Sequence, residues 1–220
     1  MNPETDFSIR GFLGGFDKNF SYLITCNRTG TQAIVDAAID TDEITKFLRN
    51  DPVAILITHG HGDHTAFLDK YVQQYKGATI LGHPDSELKE EYPNFRKVDD
   101  NQEFIIGEMR FKCIHTPGHY FDSICYHISP VLFTGDTMFV GRTGRIKGKK
   151  SSIEDLYDSI YNKILKMPGS IKIYPGHDYG DRPNITLEEN ILNSPLLSAK
   201  SLDDFKKKMD NYEKNRKIGS

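Results

Sequence analysis

The stretch His59-Gly60-His61-Gly62-Asp63-His64 places three imidazoles and one carboxylate within six positions. An apolar run precedes it at residues 53–58, and apolar residues at helical spacing follow it at residues 67–75. The two glycines allow the backbone to turn sharply between the polar side chains. Neutral imidazoles and carboxylates are the usual protein ligands of zinc, manganese and iron. The stretch therefore predicts a metal site where a buried strand meets a helix.

Composition narrows the class of protein around this site. The chain has 220 residues, of which 37% are hydrophobic and 27% charged, with a net charge of −3. These values indicate a globular protein without the basic character of a nucleic-acid-binding domain. No apolar run approaches the ~20 residues of a membrane span, and residues 1–6 do not resemble a signal peptide. The cysteines are few and lie in apolar runs, which predicts reduced thiols and a cytoplasmic protein: Cys26, Cys113 and Cys125.

Strand and helix patterns alternate in the first half of the chain, which predicts stacked α/β layers. Thr41 is expected to cap a helix that runs to about Asn50 with Phe47 facing inward. Residues 85–100 are expected to form an irregular surface segment. Ser151 and Glu154 form a capping-box pattern before a helix that ends near residue 167. We expect one domain over residues 1–220, with residues 186–220 as a short helical extension whose polar face is solvated.

Three further residues that could bind a metal each follow a predicted strand, namely His119, Asp136 and His177. Sites in layered α/β folds form beyond the carboxyl ends of strands, so these residues are expected to join the first stretch. The combined set has seven members, which exceeds the three protein ligands of one open zinc site. It suits two metals about 3.5–4 Å apart with one bridging carboxylate. The expected ligands are His59, His61, Asp63, His64, His119, Asp136 and His177, and the other three histidines (His83, His115 and His127) are interpreted as ordinary residues.

The His-Gly-His-Gly-Asp-His stretch is followed in order by Thr-Pro-Gly-His119, Thr-Gly-Asp136 and Tyr-Pro-Gly-His177. This series resembles the metallo-β-lactamase superfamily over about residues 20–197. The resemblance implies a four-layer αβ/βα sandwich with metals at one edge. It implies a first metal on His59, His61 and His119, a second on Asp63, His64 and His177, and Asp136 as the bridge. It also implies that Asp36 orients a metal-binding imidazole by contacting the side of the ring that faces away from the metal.

Within the superfamily, residues 134–145 and 174–179 resemble the glyoxalase II and persulfide dioxygenase branch. Position 136 is Asp, whereas true β-lactamases commonly carry Cys there, so a β-lactamase is disfavoured. Members that process RNA share the His-rich turn, but the acidic net charge argues against that function.

The chemistry favoured by this set is hydrolysis of a thioester by a metal-bridging hydroxide, with Asp63 and Asp136 as the catalytic carboxylates. A thiolate leaves without a strong acid because a thiol has a pKa near 8.5. The resemblance implies a hydroxyacylglutathione substrate and two divalent ions, with zinc preferred and iron or manganese as alternatives. The sequence departs from eukaryotic glyoxalase II after the last ligand: Asp178-Tyr179-Gly180-Asp181 follows His177, where that type continues into a longer helical region with basic glutathione contacts.

The residues expected to bind the substrate include three cations that could pair with its carboxylates. The alternative for these cations is an exposed basic loop. The expected substrate-binding residues are Arg142, Arg145, Lys147 and Tyr179.

Two alternative functions remain open from the sequence. One is a persulfide dioxygenase with a single iron on His59, His119 and Asp136, although Thr143 stands where that branch often carries Cys. The other is a metal-binding protein without turnover. In each case we expect a small-molecule, thiol-derived partner, no nucleic acid or membrane, and a monomer or homodimer.

Overall fold

The structure, a computed structural model, describes residues 6–216. The prediction about a signal peptide in residues 1–6 therefore falls almost entirely outside the described residues. The helices are α1 (Thr41–Thr45), α2 (Leu68–Gln74), α3 (Leu88–Glu91), α4 (Ile153–Asp158), α5 (Leu187–Asn193) and α6 (Leu202–Arg216). The strands are β1 (Phe7–Gly14), β2 (Asn19–Cys26), β3 (Gln32–Val35), β4 (Ala54–Leu56), β5 (Thr79–Gly82), β6 (Phe95–Lys97), β7 (Glu103–Ile106), β8 (Met109–His115), β9 (Ile124–Ile128), β10 (Val131–Gly135), β11 (Met138–Phe139), β12 (Arg142–Thr143), β13 (Lys172–Pro175) and β14 (Ile185–Thr186).

Two six-stranded sheets form the centre of the protein. Their strand orders are β1-β2-β3-β4-β5-β6 and β14-β13-β10-β9-β8-β7. One apolar cluster fills the space between the sheets and includes Tyr22, Phe111, Tyr126 and Phe133. A second cluster joins α1 and α2 to the outer face of the first sheet, and a third joins α4, α5 and α6 to the second sheet. The predicted four-layer αβ/βα sandwich is confirmed.

The sheets bring the ligand-bearing turns to one edge. In the first sheet β4 runs parallel to β3 and β5, and the His-rich turn follows β4. In the second sheet β10 runs parallel to β13, with Asp136 just beyond β10 and His177 just beyond β13. Backbone hydrogen bonds tie the two sheets together at this edge, from Ile124 N–H to Thr58 O at 2.7 Å and from Phe20 N–H to Gly176 O at 2.8 Å.

The first predicted helix is shorter than its pattern suggested. It ends at Thr45, and its N-cap is Asp40, whose side chain accepts a hydrogen bond from Asp42 N–H. Beyond Thr45 the backbone forms tighter turns, with Phe47 N–H donating to Ile44 O at 2.9 Å and Leu48 N–H to Thr45 O at 3.1 Å. Arg49 N–H then donates to Gln32 Oε1 at 2.6 Å and not to the chain behind it. The inward placement of Phe47 is wrong, since 41% of this residue is exposed.

The capping prediction for α4 is displaced by one residue. Ser152 is the N-cap and accepts from Asp155 N–H at 3.1 Å, whereas Glu154 pairs with Lys206 at 2.6 Å. The helical run continues to Lys166 through a π turn and a 3₁₀ turn. A complete capping box lies instead at α5, between Thr186 and Glu189.

The segment expected to be irregular contains α3 and β6, and β6 extends the first sheet beside β5. At the other end of the chain, α5 and α6 pack on the second sheet through Leu187, Phe205 and Met209. Within residues 6–216, no helix combines the length and the apolar character needed to cross a membrane.

Candidate metal centre

The seven expected ligands converge at the sandwich edge. Their donor atoms form three overlapping groups in which all atoms lie within 4.8 Å of one another: His59, His61 and His119; His59, His64 and Asp136; and Asp63, His64 and His177. No two of the contributing turns are neighbours in the sequence. The convergence therefore comes from the stacking of the two sheets.

The first group consists of three imidazoles with nitrogens directed at one point. His61 Nδ1 lies 2.9 Å from His59 Nε2 and 3.1 Å from His119 Nε2. His59 is buried, and the other two side chains are partly open to the cavity described below. Three converging nitrogens with one accessible side suit a catalytic metal that keeps an open position.

The second group lies on the far side of Asp136. His177 Nε2 is 3.2 Å from His64 Nε2 and 3.3 Å from Asp63 Oδ2. Asp136 Oδ2 lies 3.3 Å from His177 Nε2 and 3.4 Å from His119 Nε2, so one carboxylate stands between the two groups. Asn19 Nδ2 donates to Asp63 Oδ2 at 3.0 Å and orients that carboxylate.

Backbone carbonyls determine which nitrogen of two ligands faces inward. His119 Nδ1 lies 2.9 Å from Arg145 O, and His177 Nδ1 lies 2.8 Å from Asp17 O. A carbonyl only accepts hydrogen bonds, so each Nδ1 carries a proton, and Nε2 is the nitrogen that faces the centre and could bind a metal. This arrangement is typical of imidazoles that bind metals.

A single carboxylate organises the other two buried imidazoles. Asp36 Oδ2 lies 2.7 Å from His64 Nδ1 and accepts the Thr58 hydroxyl at 2.8 Å. Thr58 Oγ1 is in turn 3.1 Å from His59 Nδ1. Because the Thr58 proton is used on Asp36, Thr58 Oγ1 accepts from His59. Asp36 thus contacts His64 directly and His59 through one hydroxyl, so one ligand of each group depends on it.

The protonation equilibria of the metal-free site reflect burial and crowding. Burial lowers the pKa of His59 well below its usual value, and burial also lowers the pKa of His61 to about 4. Burial opposes the charged form of His177 as well, but hydrogen bonds to Asp136 and Asp63 raise its pKa to about 9. Burial would raise the pKa of Asp136, yet the charge of His64 and the contact with His177 hold it well below its ordinary range.

These residues fit a cation on two further observations. Asp136 Oδ1 is buried without a hydrogen-bond partner in the described part of the chain, since His64 Nε2 at 3.2 Å lies outside hydrogen-bonding geometry. A buried carboxylate oxygen without a partner is costly unless a cation compensates it. The backbone also leaves the space open at Gly176, where a Cβ would come within 2.5 Å of Asp136 Oδ1.

A cavity of about 220 Å³ opens on the ligands. All four residues expected to bind substrate line it, namely Arg142, Arg145, Lys147 and Tyr179. The Arg142 guanidinium lies 3.8 Å above the Tyr179 ring and donates to Tyr212 Oη at 3.3 Å. Tyr179 stacks on His177 with a centroid distance of 4.7 Å and an interplanar angle of 2°. Arg142 therefore connects to the second ligand group through an aromatic ring.

Several residues of the site were not predicted from the sequence. Asn19 and Asp17 belong to the β1–β2 hairpin, and Tyr212 and Glu213 come from α6. Nothing local distinguishes Asn19 from an ordinary turn residue. The helical spacing around Tyr212 indicated only a packing face.

The remaining histidines and the cysteines lie outside the three ligand groups. His83 and His115 stack with a centroid distance of 4.0 Å, and burial lowers the pKa of His83 to about 4. The three cysteines are buried and free, as predicted: Cys26, Cys113 and Cys125.

Comparisons with known proteins agree with the fold. The chain is 30% identical over 191 residues to the probable polyketide biosynthesis zinc-dependent hydrolase BaeB of Bacillus velezensis, with 85% of each protein covered. It is 34% identical over 175 residues to a hydroxyacylglutathione hydrolase of Francisella tularensis subsp. novicida. This match covers 77% of this chain and 67% of that relative.

The crystal structure of ETHE1 from Myxococcus xanthus superimposes with a TM-score of 0.81 at 25% identity, over 93% of this chain and 91% of the other. The family described as the metallo-beta-lactamase superfamily matches residues 14–177, which include all seven expected ligands. From this match, together with the two-sheet sandwich, we conclude that the chain belongs to the metallo-beta-lactamase superfamily.

Proposed function

We propose that the protein is a metal-dependent thioester hydrolase that uses two divalent metal ions. The observation that carries this proposal is the position of Asp136 between the two ligand groups. Its Oδ2 lies 3.4 Å from His119 Nε2 on one side and 3.3 Å from His177 Nε2 on the other. A carboxylate shared by two sets of imidazoles is the arrangement of a two-metal hydrolytic site, in which the ions are about 3.5–4 Å apart.

In this proposal His59, His61 and His119 hold one ion, whereas Asp63, His64 and His177 hold the other. Two such ions supply Lewis acidity and lower the pKa of water to near neutrality. The zinc-dependent relative from Bacillus velezensis supports zinc as the metal.

The two carboxylates at the centre orient the attacking water. Burial would raise the pKa of Asp63, but the hydrogen bond to His177 and the charge of His64 hold it well below its usual range. Asp63 is therefore ionised at neutral pH, as is Asp136, and both can accept hydrogen bonds from water. Asn19 keeps Asp63 in place, because its amide donates to Oδ2 at 3.0 Å. The nucleophile is thus aligned by groups that need no rearrangement.

The cations at the cavity favour an anionic substrate. Arg145 and Lys147 line the cavity, and among residues 6–216 neither forms an ion pair. Unpaired cations next to a metal centre bind carboxylate or phosphate groups by charge-assisted hydrogen bonds. The thiolate of a thioester also leaves without a general acid, because a free thiol has a pKa near 8.5. The low pKa values of Asp63 and Asp136 keep both carboxylates ionised, which agrees with a leaving group that needs no acid.

One relative supports a thioester substrate, and the thiol carrier stays open between glutathione and another anionic thiol. The hydroxyacylglutathione hydrolase relative supports glutathione, which has two carboxylates for the cavity cations. BaeB, which is matched over 85% of its length, is described as a probable zinc-dependent hydrolase of polyketide biosynthesis.

The test combines metal analysis with turnover. Protein from cells grown without added metal is expected to contain about two divalent ions per chain and to cleave lactoylglutathione or another acyl thioester. A cephalosporin reporter is expected to be cleaved weakly or not at all. Chelator-stripped protein should be inactive until a divalent metal is restored. Turnover of a thioester by fully stripped protein would refute the proposal, and so would efficient cephalosporin cleavage without thioester cleavage.

A second candidate is a persulfide dioxygenase with one iron. His59 shares one ligand group with His119 and another with Asp136, and Asp136 Oδ2 lies 3.4 Å from His119 Nε2. Two imidazoles and a carboxylate therefore converge, a pattern suited to iron(II) and oxygen. Oxygen uptake on glutathione persulfide, with one iron per chain and no thioester cleavage, would favour this candidate.

A further inference from the structure

One buried carboxylate next to the metal centre has no place in the ligand set. Asp122 is 2% exposed and lies on the loop between His119 and β9. Its Oδ1 accepts a hydrogen bond from Gly60 N–H at 3.2 Å. Gly60 stands between His59 and His61, so this hydrogen bond joins the ligand turn of the first sheet to the ligand loop of the second. Each of the three imidazoles of the first group lies within three residues, along the sequence, of either Gly60 or Asp122.

The absence of a side chain at Gly60 permits this approach. A Cβ at Gly60 would lie 3.0 Å from Asp122 Oδ2, at the limit of what real Cβ contacts allow. A Cβ at Gly62, in the same turn, would have no neighbour within 4 Å. Neither glycine has a positive φ, so an alanine at either position is compatible with the backbone. A Cβ at Gly60 would therefore press on Asp122 and reach ordinary contact with the Tyr120 ring at 3.8 Å, whereas a Cβ at Gly62 would meet neither.

Loss of the Asp122–Gly60 hydrogen bond would remove a partner from two polar groups, one of which is the buried Asp122 carboxylate. A carboxylate that is buried away from water requires hydrogen-bond partners, and a buried N–H without a partner also destabilises the fold. The adjacent Tyr120 ring packs on the His61 ring with a centroid distance of 4.3 Å. Lys150 Nζ lies 5.6 Å from the Tyr120 centroid and pairs with Glu87 at 2.6 Å. The Asp122 loop thus contacts the ligand turn through the Asp122 carboxylate and through the Tyr120 ring.

We propose that Asp122 is a positioning residue that holds the His59–His61 turn against the His119 loop and thereby sets the metal affinity of the first ligand group. It acts through the Gly60 amide and touches neither metal nor substrate. Because this role presupposes the metal centre proposed above, the test measures binding of zinc or cobalt alone and does not depend on turnover.

Metal-free protein is titrated with zinc or cobalt against a chromophoric chelator. Wild type is expected to bind metal tightly, and Asp122→Ala is expected to weaken one site by about 10–100-fold, the usual effect of losing a residue that orients a ligand. Asp122→Asn retains an acceptor and should recover most of the affinity. Gly60→Ala should weaken the same site, whereas Gly62→Ala should bind metal like wild type.

A double variant separates positioning from general damage. The alanine at position 60 conflicts with the Asp122 carboxylate, so Gly60→Ala combined with Asp122→Ala should be no worse than Asp122→Ala alone. Equal metal affinity in wild type and Asp122→Ala would overturn the proposal while leaving the metal centre intact. Failure of wild type to bind either metal would overturn both. If Asp122→Ala does not fold, the comparison of Gly60→Ala with Gly62→Ala decides, and equal affinities there refute the positioning role.

Discussion

Asp36 Oδ2 and His64 Nδ1 lie 2.7 Å apart, and both side chains are almost fully buried. The same oxygen accepts the Thr58 hydroxyl, which contacts His59. One carboxylate therefore supports an imidazole in each of the two ligand groups. A carboxylate behind a ligating imidazole fixes its tautomer and raises its basicity.

Replacement of Asp36 should weaken metal binding without disrupting the turn. Asp36 has φ of +58°, a conformation that Asn tolerates better than most residues, so Asp36→Asn is the suitable variant. We expect its metal affinity to fall by about 10–100-fold, measured by chelator competition. Asp42→Asn is the matched control, because Asp42 is exposed and pairs only with Lys70 among the described residues. Unchanged affinity in Asp36→Asn would show that the carboxylate does not support the ligands.

Removal of a ligand from the second group should distinguish the two candidate functions. If the site binds two metals, Asp63→Ala and His177→Ala should each reduce the metal content from about two to about one per chain. Hydrolytic activity should fall by orders of magnitude, because water loses one of its two activating ions. Metal analysis by mass spectrometry and thioester kinetics give the two readouts.

The mononuclear candidate leads to a different result for the same variants. A single iron on His59, His119 and Asp136 should remain in Asp63→Ala and His177→Ala. Oxygen uptake on glutathione persulfide should then suffer less in these variants than in His119→Ala. One retained iron with oxygen-consuming activity in Asp63→Ala would exclude the two-metal hydrolase.

The metal-free protein should be most stable near pH 6.5. The pKa of His177 is raised to about 9 in the folded state, so its stabilising contribution is complete below the unfolded value of about 6.5 and is lost as pH rises toward 9. The pKa of His61 is lowered to about 4, so folding is disfavoured as pH falls below about 6.5. Thermal unfolding of stripped protein between pH 5 and 9 gives the measurement.

Two comparisons check the assignment of this pH dependence. His177→Ala should flatten the decline in melting temperature between pH 6.5 and 9, whereas His127→Ala, which lies away from the ligand groups, should not. Saturating zinc should remove most of the decline, since metal replaces the proton on His177. A melting temperature of stripped wild type that rises steadily to pH 9 would contradict the expected sign.

Loss of the cavity cations should impair substrate binding more than chemistry. Arg145→Ala and Lys147→Ala are each expected to raise KM for an anionic thioester by about tenfold, because a hydrogen bond to a charged group is worth about 1.5–3 kcal/mol. The change in kcat should be smaller. Lys149→Ala is the matched control, since Lys149 is exposed on the same loop and does not line the cavity. An equal effect of all three variants would indicate nonspecific electrostatics.

The sequence alone was sufficient to identify the residues that meet at the edge of the sandwich. The residue types of the His-rich turn are a local feature, and so are the positions of His119, Asp136 and His177 after strands. Local features can be recognised from the sequence without the fold. The apolar periodicities identified most strands of both sheets for the same reason. The length of α1 was misjudged because the chain beyond Thr45 forms tighter turns and Arg49 N–H donates to the Gln32 side chain, 17 residues away.

Only the tertiary structure decided how the ligands are arranged and supported. The inward-facing nitrogens of His119 and His177 depend on carbonyls of Arg145 and Asp17, and the latter is 160 residues from its partner. The Asp122–Gly60 hydrogen bond spans 62 residues. Such contacts leave no periodic or compositional trace, because they arise when two sheets, each specified by its own apolar pattern, stack and bring their loop edges together. Residue chemistry therefore determined which donor atoms lie at this edge, and sheet packing determined their geometry.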